Sequence, residues 1–122
     1  MEESTDEVKK YELNSVQQKI FNRTGQNEKL YNMLIEIGLR TIPQYIQKLE
    51  KAIKENNPND IKIISHSLKG ALLNLAINDL ATIAGEIQDL ATVQSGMTQI
   101  AALNRRLLKE WQIVKLELQQ KN

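Results

Sequence analysis
The chain has 122 residues and no cysteine, which bounds it to one modest core and excludes disulfides and thiolate metal sites. Its 16 Lys and Arg against 15 Asp and Glu leave a formal net charge of +1, too balanced for the basic face of a nucleic-acid binder. No apolar run approaches the roughly 18 residues that cross a bilayer, and the polar stretch 1–10 lacks a signal-peptide core, so a cytoplasmic protein without direct membrane contact is expected.

Residues 1–13 are expected to form a flexible or extended segment, with Tyr11 and Leu13 as anchors. Asn14 is placed to cap a short helix that holds Val16, Ile20 and Phe21 and ends at Thr24 and Gly25. A long helix follows over about 27–55, where Leu30, Leu34, Ile37, Ile42, Tyr45, Leu49 and Ile53 mark one face. Pro43 lies inside it and predicts a kink or a local break near 38–42. Asn56, Asn57, Pro58 and Asn59 form a turn, with Asn57 as N-cap and Pro58 as first residue of a helix over about 58–75. Asn78 is expected to cap a segment over 79–93, with Leu80, Ile83, Ala84, Ile87 and Leu90 or Ala91 inward, broken by Ser95 and Gly96. The last helix, 97–119, carries the stripe Ile100, Leu103, Leu107, Trp111, Val114 and Leu118. With 2 prolines, 5 glycines, 4% aromatic residues and a wealth of helix formers, the fold class is all-α. The architecture expected is an up-down antiparallel four-helix bundle with a short extra N-terminal helix, residues 14–120 making a single domain.

The chemistry concentrates at His66, the only histidine. Ile61, Ile64, Leu68, Ala71, Leu72 and Leu75 share one stripe of the third helix, and His66 falls about 170° from its centre on a helical wheel. The imidazole is therefore expected to face solvent. Lone histidines are more often packed or inert than functional, and the company of this one decides the matter. Lys62 and Lys69 lie one turn away on the same side, at i−4 and i+3. Gly70 clears a side chain beside the ring, at a cost of roughly 1 kcal/mol relative to Ala in mid-helix. Ile63 and Leu73 fall on the same outward arc although they are apolar, the mark of a docking surface. Imidazoles with an ordinary pKa of about 6.5 are mostly neutral and nucleophilic near pH 7. A phosphoryl group on a ring nitrogen would bring close to two negative charges, which Lys69 could partly offset.

The run His66, Ser67, Leu68, Lys69, Gly70 resembles the signature H-x-L-K-G of histidine-containing phosphotransfer (HPt) domains, found on the third long helix of a four-helix bundle. By ordinary residue usage, Leu, Lys and Gly fall at these offsets from a given His on the order of once in a thousand. The resemblance covers about residues 26–120, including Pro43 in the long helix, the Asn-rich turn, and the pattern Leu80, Ala84, Ile87. It implies a phosphorelay intermediate of two-component signalling, a phosphoryl carrier rather than an enzyme. His66 would take and give phosphate between aspartates of response-regulator receiver domains, with Lys69 stabilising the charge and Gly70 granting access. Gln88 aligns with a family position whose Glu or Gln can orient the ring. The resemblance also implies that the chain needs no cofactor of its own, Mg²⁺ sitting on the partner receiver. The partners implied are receiver domains and a hybrid sensor histidine kinase, with this chain free or part of a membrane-bound hybrid kinase; a bundle with its own closed core is expected to be a monomer.

The chain departs from the family in having Leu72 and Leu73 where small residues are usual, and Ala76 where Gly is common, so the usual left-handed helix cap is expected to be missing. Two other kinds of helical protein share some of these features. A histidine kinase dimerisation domain normally has an acidic residue after its His and a Pro nearby, whereas Ser67 follows here and too few residues remain for an ATP-binding domain. A helical adaptor that binds a receiver or other protein without carrying phosphate would use Ile63 and Leu73 equally well.

Overall fold
The computed structural model describes residues 13–120, which form five α-helices with no strand among them: α1 (Ser15–Arg23), α2 (Glu28–Lys54), α3 (Pro58–Asn74), α4 (Asn78–Thr92) and α5 (Met97–Gln119). Residues 1–12 of the expected N-terminal segment lie outside the described residues. Each long helix packs on its neighbour in sequence, and α2 closes the ring on α5, while α1 rests on the ends of α2 and α5. The result is the antiparallel bundle that short connections favour.

The helix starts follow from three asparagines. Asn14, Asn27 and Asn57 accept from the backbone N–H of Gln17, Leu30 and Asp60 at 2.9, 3.0 and 3.2 Å, and the first bond is half of a capping box. Asn14 works twice. Its Nδ2 donates to the Glu117 carbonyl at 2.9 Å, and Gln17 Nε2 donates to the Gln120 carbonyl at 2.9 Å. The start of α1 thus satisfies carbonyls at the end of α5 that would otherwise be orphaned.

Helices α1 to α4 end alike, with Gly25, Asn56, Ala76 and Gln94 in the left-handed region at φ 69, 51, 55 and 53. The following N–H of each reaches back to Phe21, Ala52, Leu72 and Leu90, the long bond of a Schellman motif. The left-handed cap expected to be missing after α3 is therefore present, carried by Ala76 without glycine. Its hydrogen bonds and the burial of Ile77 outweigh the strain of a Cβ there.

Ile42 and Leu49 of α2, Ile61, Leu68 and Leu72 of α3, Ile83 and Ile87 of α4, and Ile100 and Leu107 of α5 are fully buried. Each contributes about 1.5–3 kcal/mol of transfer free energy, as an upper estimate. Tyr31 and Phe21 meet edge to face, centroids 5.6 Å apart, and burial pushes the Tyr31 hydroxyl pKa above its ordinary value.

Three expectations are corrected. The chain remains helical through Pro43, so the local break that was the alternative to a kink near 38–42 does not occur. Loss of one backbone bond is outweighed by the burial of Ile42 and Ile46 on either side of it. The core face of α2 is set by Tyr31, Gly38, Ile42, Ile46, Leu49 and Ala52, so Leu30 and Ile37 stand 47% and 42% exposed. Asn78 is the first residue of α4 and not its cap; Ile77 holds that position without a side-chain bond.

Candidate functional site
Helix α3 buries Ile61, Ser65, Leu68 and Leu72, which turns position 66 outward. His66 is exposed, on a helix fixed from beneath. Ser65, wholly buried beside it, donates its hydroxyl to the Lys62 carbonyl at 3.2 Å, so even the polar residue of the buried face is satisfied.

The neighbouring helix supplies the ring's partner. Gln88 on α4 places its side-chain Nε2 3.2 Å from His66 Nδ1. Among the described residues the ring's other nitrogen, Nε2, has no hydrogen-bond partner. A Gln amide can present either its N or its O by a half-turn of its last bond, so this contact suits an unprotonated or a protonated Nδ1.

Lys69 is half-buried, and its outer chain lies across the bare backbone of Gly85: a Cβ built there would be 3.5 Å from Nζ and 3.6 Å from both Cδ and Cε. Among the described residues no carboxylate comes within ion-pair distance of Lys69 or Lys62. Their charges are left available to an incoming anion. Around Gly70, an added Cβ would meet nothing within 4 Å among the described residues. Lys62 is exposed, and Ile63 and Leu73 stand 63% and 39% exposed, an apolar rim on the same helix.

The structure thus gathers His66, Lys69 and Gln88 at the α3–α4 seam, with Gly70, Lys62, Ile63 and Leu73 around it on α3. Gly85 is the residue that sequence reading passed over. Its only signal was a glycine in the interior of a helix, one turn before Gln88. Among the described residues no group of three His, Cys, Asp or Glu side chains could hold a metal ion, and no helix is long and apolar enough to cross a membrane.

Chemically, an exposed imidazole held at one nitrogen, beside an unneutralised ammonium and a cleared approach, can accept an electrophilic, negatively charged group at its other nitrogen. Comparison with known proteins points the same way. The Hpt domain family model matches residues 33–120, which takes in most of α2 and all of α3, α4 and α5. The crystal structure of histidine-containing phosphotransfer protein B (HptB) from Pseudomonas aeruginosa has the same fold, with a TM-score of 0.76 and 20% identity over 88% of this chain and 91% of that one. No curated protein sequence matches the chain. Matched over residues 33–120, the chain belongs to the Hpt domain family, phosphocarrier modules of two-component signalling that work with receiver domains and kinases.

Proposed function
We propose that this chain is a phosphorelay intermediate in which His66 carries the phosphoryl group between aspartates of response-regulator receiver domains. The observation that supports this best is the pairing of Gln88 with Nδ1 at 3.2 Å on an exposed ring, because it assigns the two nitrogens different tasks. With Nδ1 protonated and donating to Gln88 Oε1, after a half-turn of the amide, the lone pair of Nε2 is directed at the partner. That lone pair attacks the phosphorus of an aspartyl phosphate. The N–P bond forms as the P–O bond to the aspartate breaks, and the carboxylate leaves with the electron pair.

The ring then bears a positive charge, which strengthens the Nδ1–H bond to Gln88, while Lys69 offsets charge on the phosphoryl oxygens. Passage to the next receiver is the same step reversed. Phosphoryl transfer demands positioning and electrostatic stabilisation more than covalent assistance, and Mg²⁺ on the receiver supplies the rest. Gly70 lets the receiver's surface approach, and Lys62, Ile63 and Leu73 frame a contact of about 800 Å² per partner or less. The module acts in the cytoplasm as a monomer, alone or within a hybrid sensor histidine kinase, its four long helices closing their own core.

The test is to mix the protein with a ³²P-labelled receiver domain and Mg²⁺ and follow the label. An acid-labile, alkali-stable label on this chain is expected, and none on His66→Gln. Label that persists in His66→Gln moves the site elsewhere. If no receiver from its source labels the chain, the helical adaptor, which needs only the apolar rim, takes its place.

A further inference from the structure
Across the seam, α3 and α4 meet in two successive rungs. His66 meets Gln88, and one turn along α3, which is one turn back along the antiparallel α4, Lys69 meets Gly85. The first rung is a hydrogen bond. The second is a lysine chain laid on a helix backbone, with Nζ 3.5 Å and Cδ and Cε 3.6 Å from the point where a Cβ would stand.

Nothing in the backbone of α4 asks for glycine at this position. Gly85 is in the helix interior, not in the left-handed conformation of Gly25 and Gly96, and a glycine there weakens the helix relative to Ala. Nor does close approach of another backbone ask for it, since the three atoms nearest to it all belong to the flexible end of Lys69. What its missing side chain provides is a channel as wide as one lysine stem.

We infer that Gly85 is a positioning residue: it seats the stem of Lys69 so that the ammonium is held at the seam, one turn from the His66–Gln88 pair, when a phosphoryl group arrives. The inference rests on His66 being the phosphoryl carrier. A lysine loose in solvent occupies many rotamers and loses them on meeting an anion, whereas one already laid against a helix has fewer to lose. No carboxylate within ion-pair distance competes for the charge among the described residues. A methyl group at 85 would make ordinary van der Waals contact with the lysine. Anything longer would take the volume that Cδ, Cε and Nζ now fill and turn the ammonium out of the seam.

The experiment measures transfer from a phosphorylated receiver, as rate against receiver concentration, for wild type, Lys69→Ala, Gly85→Ala, Gly85→Leu and the double variant Gly85→Leu/Lys69→Ala. Lys69→Ala is expected to slow the transfer step about ten- to a hundredfold, the worth of one charge-assisted hydrogen bond. Gly85→Leu should fall within about threefold of that while melting no lower than wild type, and Gly85→Ala should stay within about twofold of wild type. In the Lys69→Ala background, Gly85→Leu should add less than about twofold, because both changes remove the same interaction. Gly85→Gln, which is polar and fills the same channel, guards against a folding defect of the leucine and should behave like it. Transfer at the wild-type rate by folded Gly85→Leu or Gly85→Gln overturns the inference. So does a slowing that persists undiminished without Lys69, which would mean that residue 85 meets the receiver directly. A wild-type chain that takes no label, or takes it without His66, instead overturns the carrier reading beneath.

Discussion

Two glycines in the interior of neighbouring helices, Gly38 and Gly70, differ in what surrounds them. At Gly38 on α2, the Leu75 side chain at the end of α3 occupies the space where a Cβ would stand. At Gly70 on α3, a Cβ would meet nothing within 4 Å among the described residues. Each weakens its helix by roughly 0.5–1 kcal/mol relative to Ala. At Gly38 the loss is offset within the fold, because the buried Leu75 fills the gap and lets the helices draw together. At Gly70 nothing among the described residues offsets it. A residue that costs stability and returns none inside the molecule points to a surface that comes from outside, and this one lies a single turn from His66.

The same substitution at both positions sharpens the comparison. Gly38→Leu is expected to lose about 3 kcal/mol, because the new side chain and Leu75 cannot share a closed seam. Urea denaturation measures it, and a change under about 0.5 kcal/mol would mean that the seam is not filled as described. Gly70→Leu should go the other way. Its helix gains about 0.5–1 kcal/mol, since leucine replaces glycine where there is open space. Labelling by a phosphorylated receiver should nonetheless slow about tenfold or more, as the leucine stands in the approach. A less stable Gly70→Leu would show the position to be packed after all. An unaltered rate would show that the receiver does not pass over it.

How far the sequence reveals this molecule depends on where the reason for each residue lies. Asn14, Asn27 and Asn57 cap helices with their own side chains a few residues on, so the helix starts they mark are readable from local spacing. The outward direction of His66 is also local, because the stripe of Ile61, Leu68 and Leu72 on its own helix fixes it. Asn78 misleads for a local reason that is conformational. The Schellman motif after α3 runs straight into α4, so Ile77 closes one helix and opens the next, and no side chain is left to cap. On α2 the large residues Leu30 and Ile37 draw the eye, yet the core face runs through Gly38 and Ala52, whose worth depends on what packs against them. Gly85 is the extreme case. Its reason is a lysine on another helix, and no periodicity within α4 contains that information.

The smallest effect tests the junction that feeds Leu75 into the Gly38 seam. Ala76 holds φ 55, a conformation in which its Cβ crowds the following carbonyl, and the motif persists because the N–H groups of Ala76 and Ile77 bond to Leu73 and Leu72 at 3.0 Å. Ala76→Gly removes the crowding and adds freedom to the unfolded chain, two opposed terms whose balance favours glycine by about 0.5 kcal/mol. Thermal unfolding should register a rise of a few degrees, on the order of 2–4 °C. The rate of phosphoryl transfer should not change, because residue 76 lies about 15 Å along the helix from His66. A fall in stability would mean that the alanine methyl packs where Leu75 enters the core, and that this junction, like Gly38 and unlike Gly70, is explained from within.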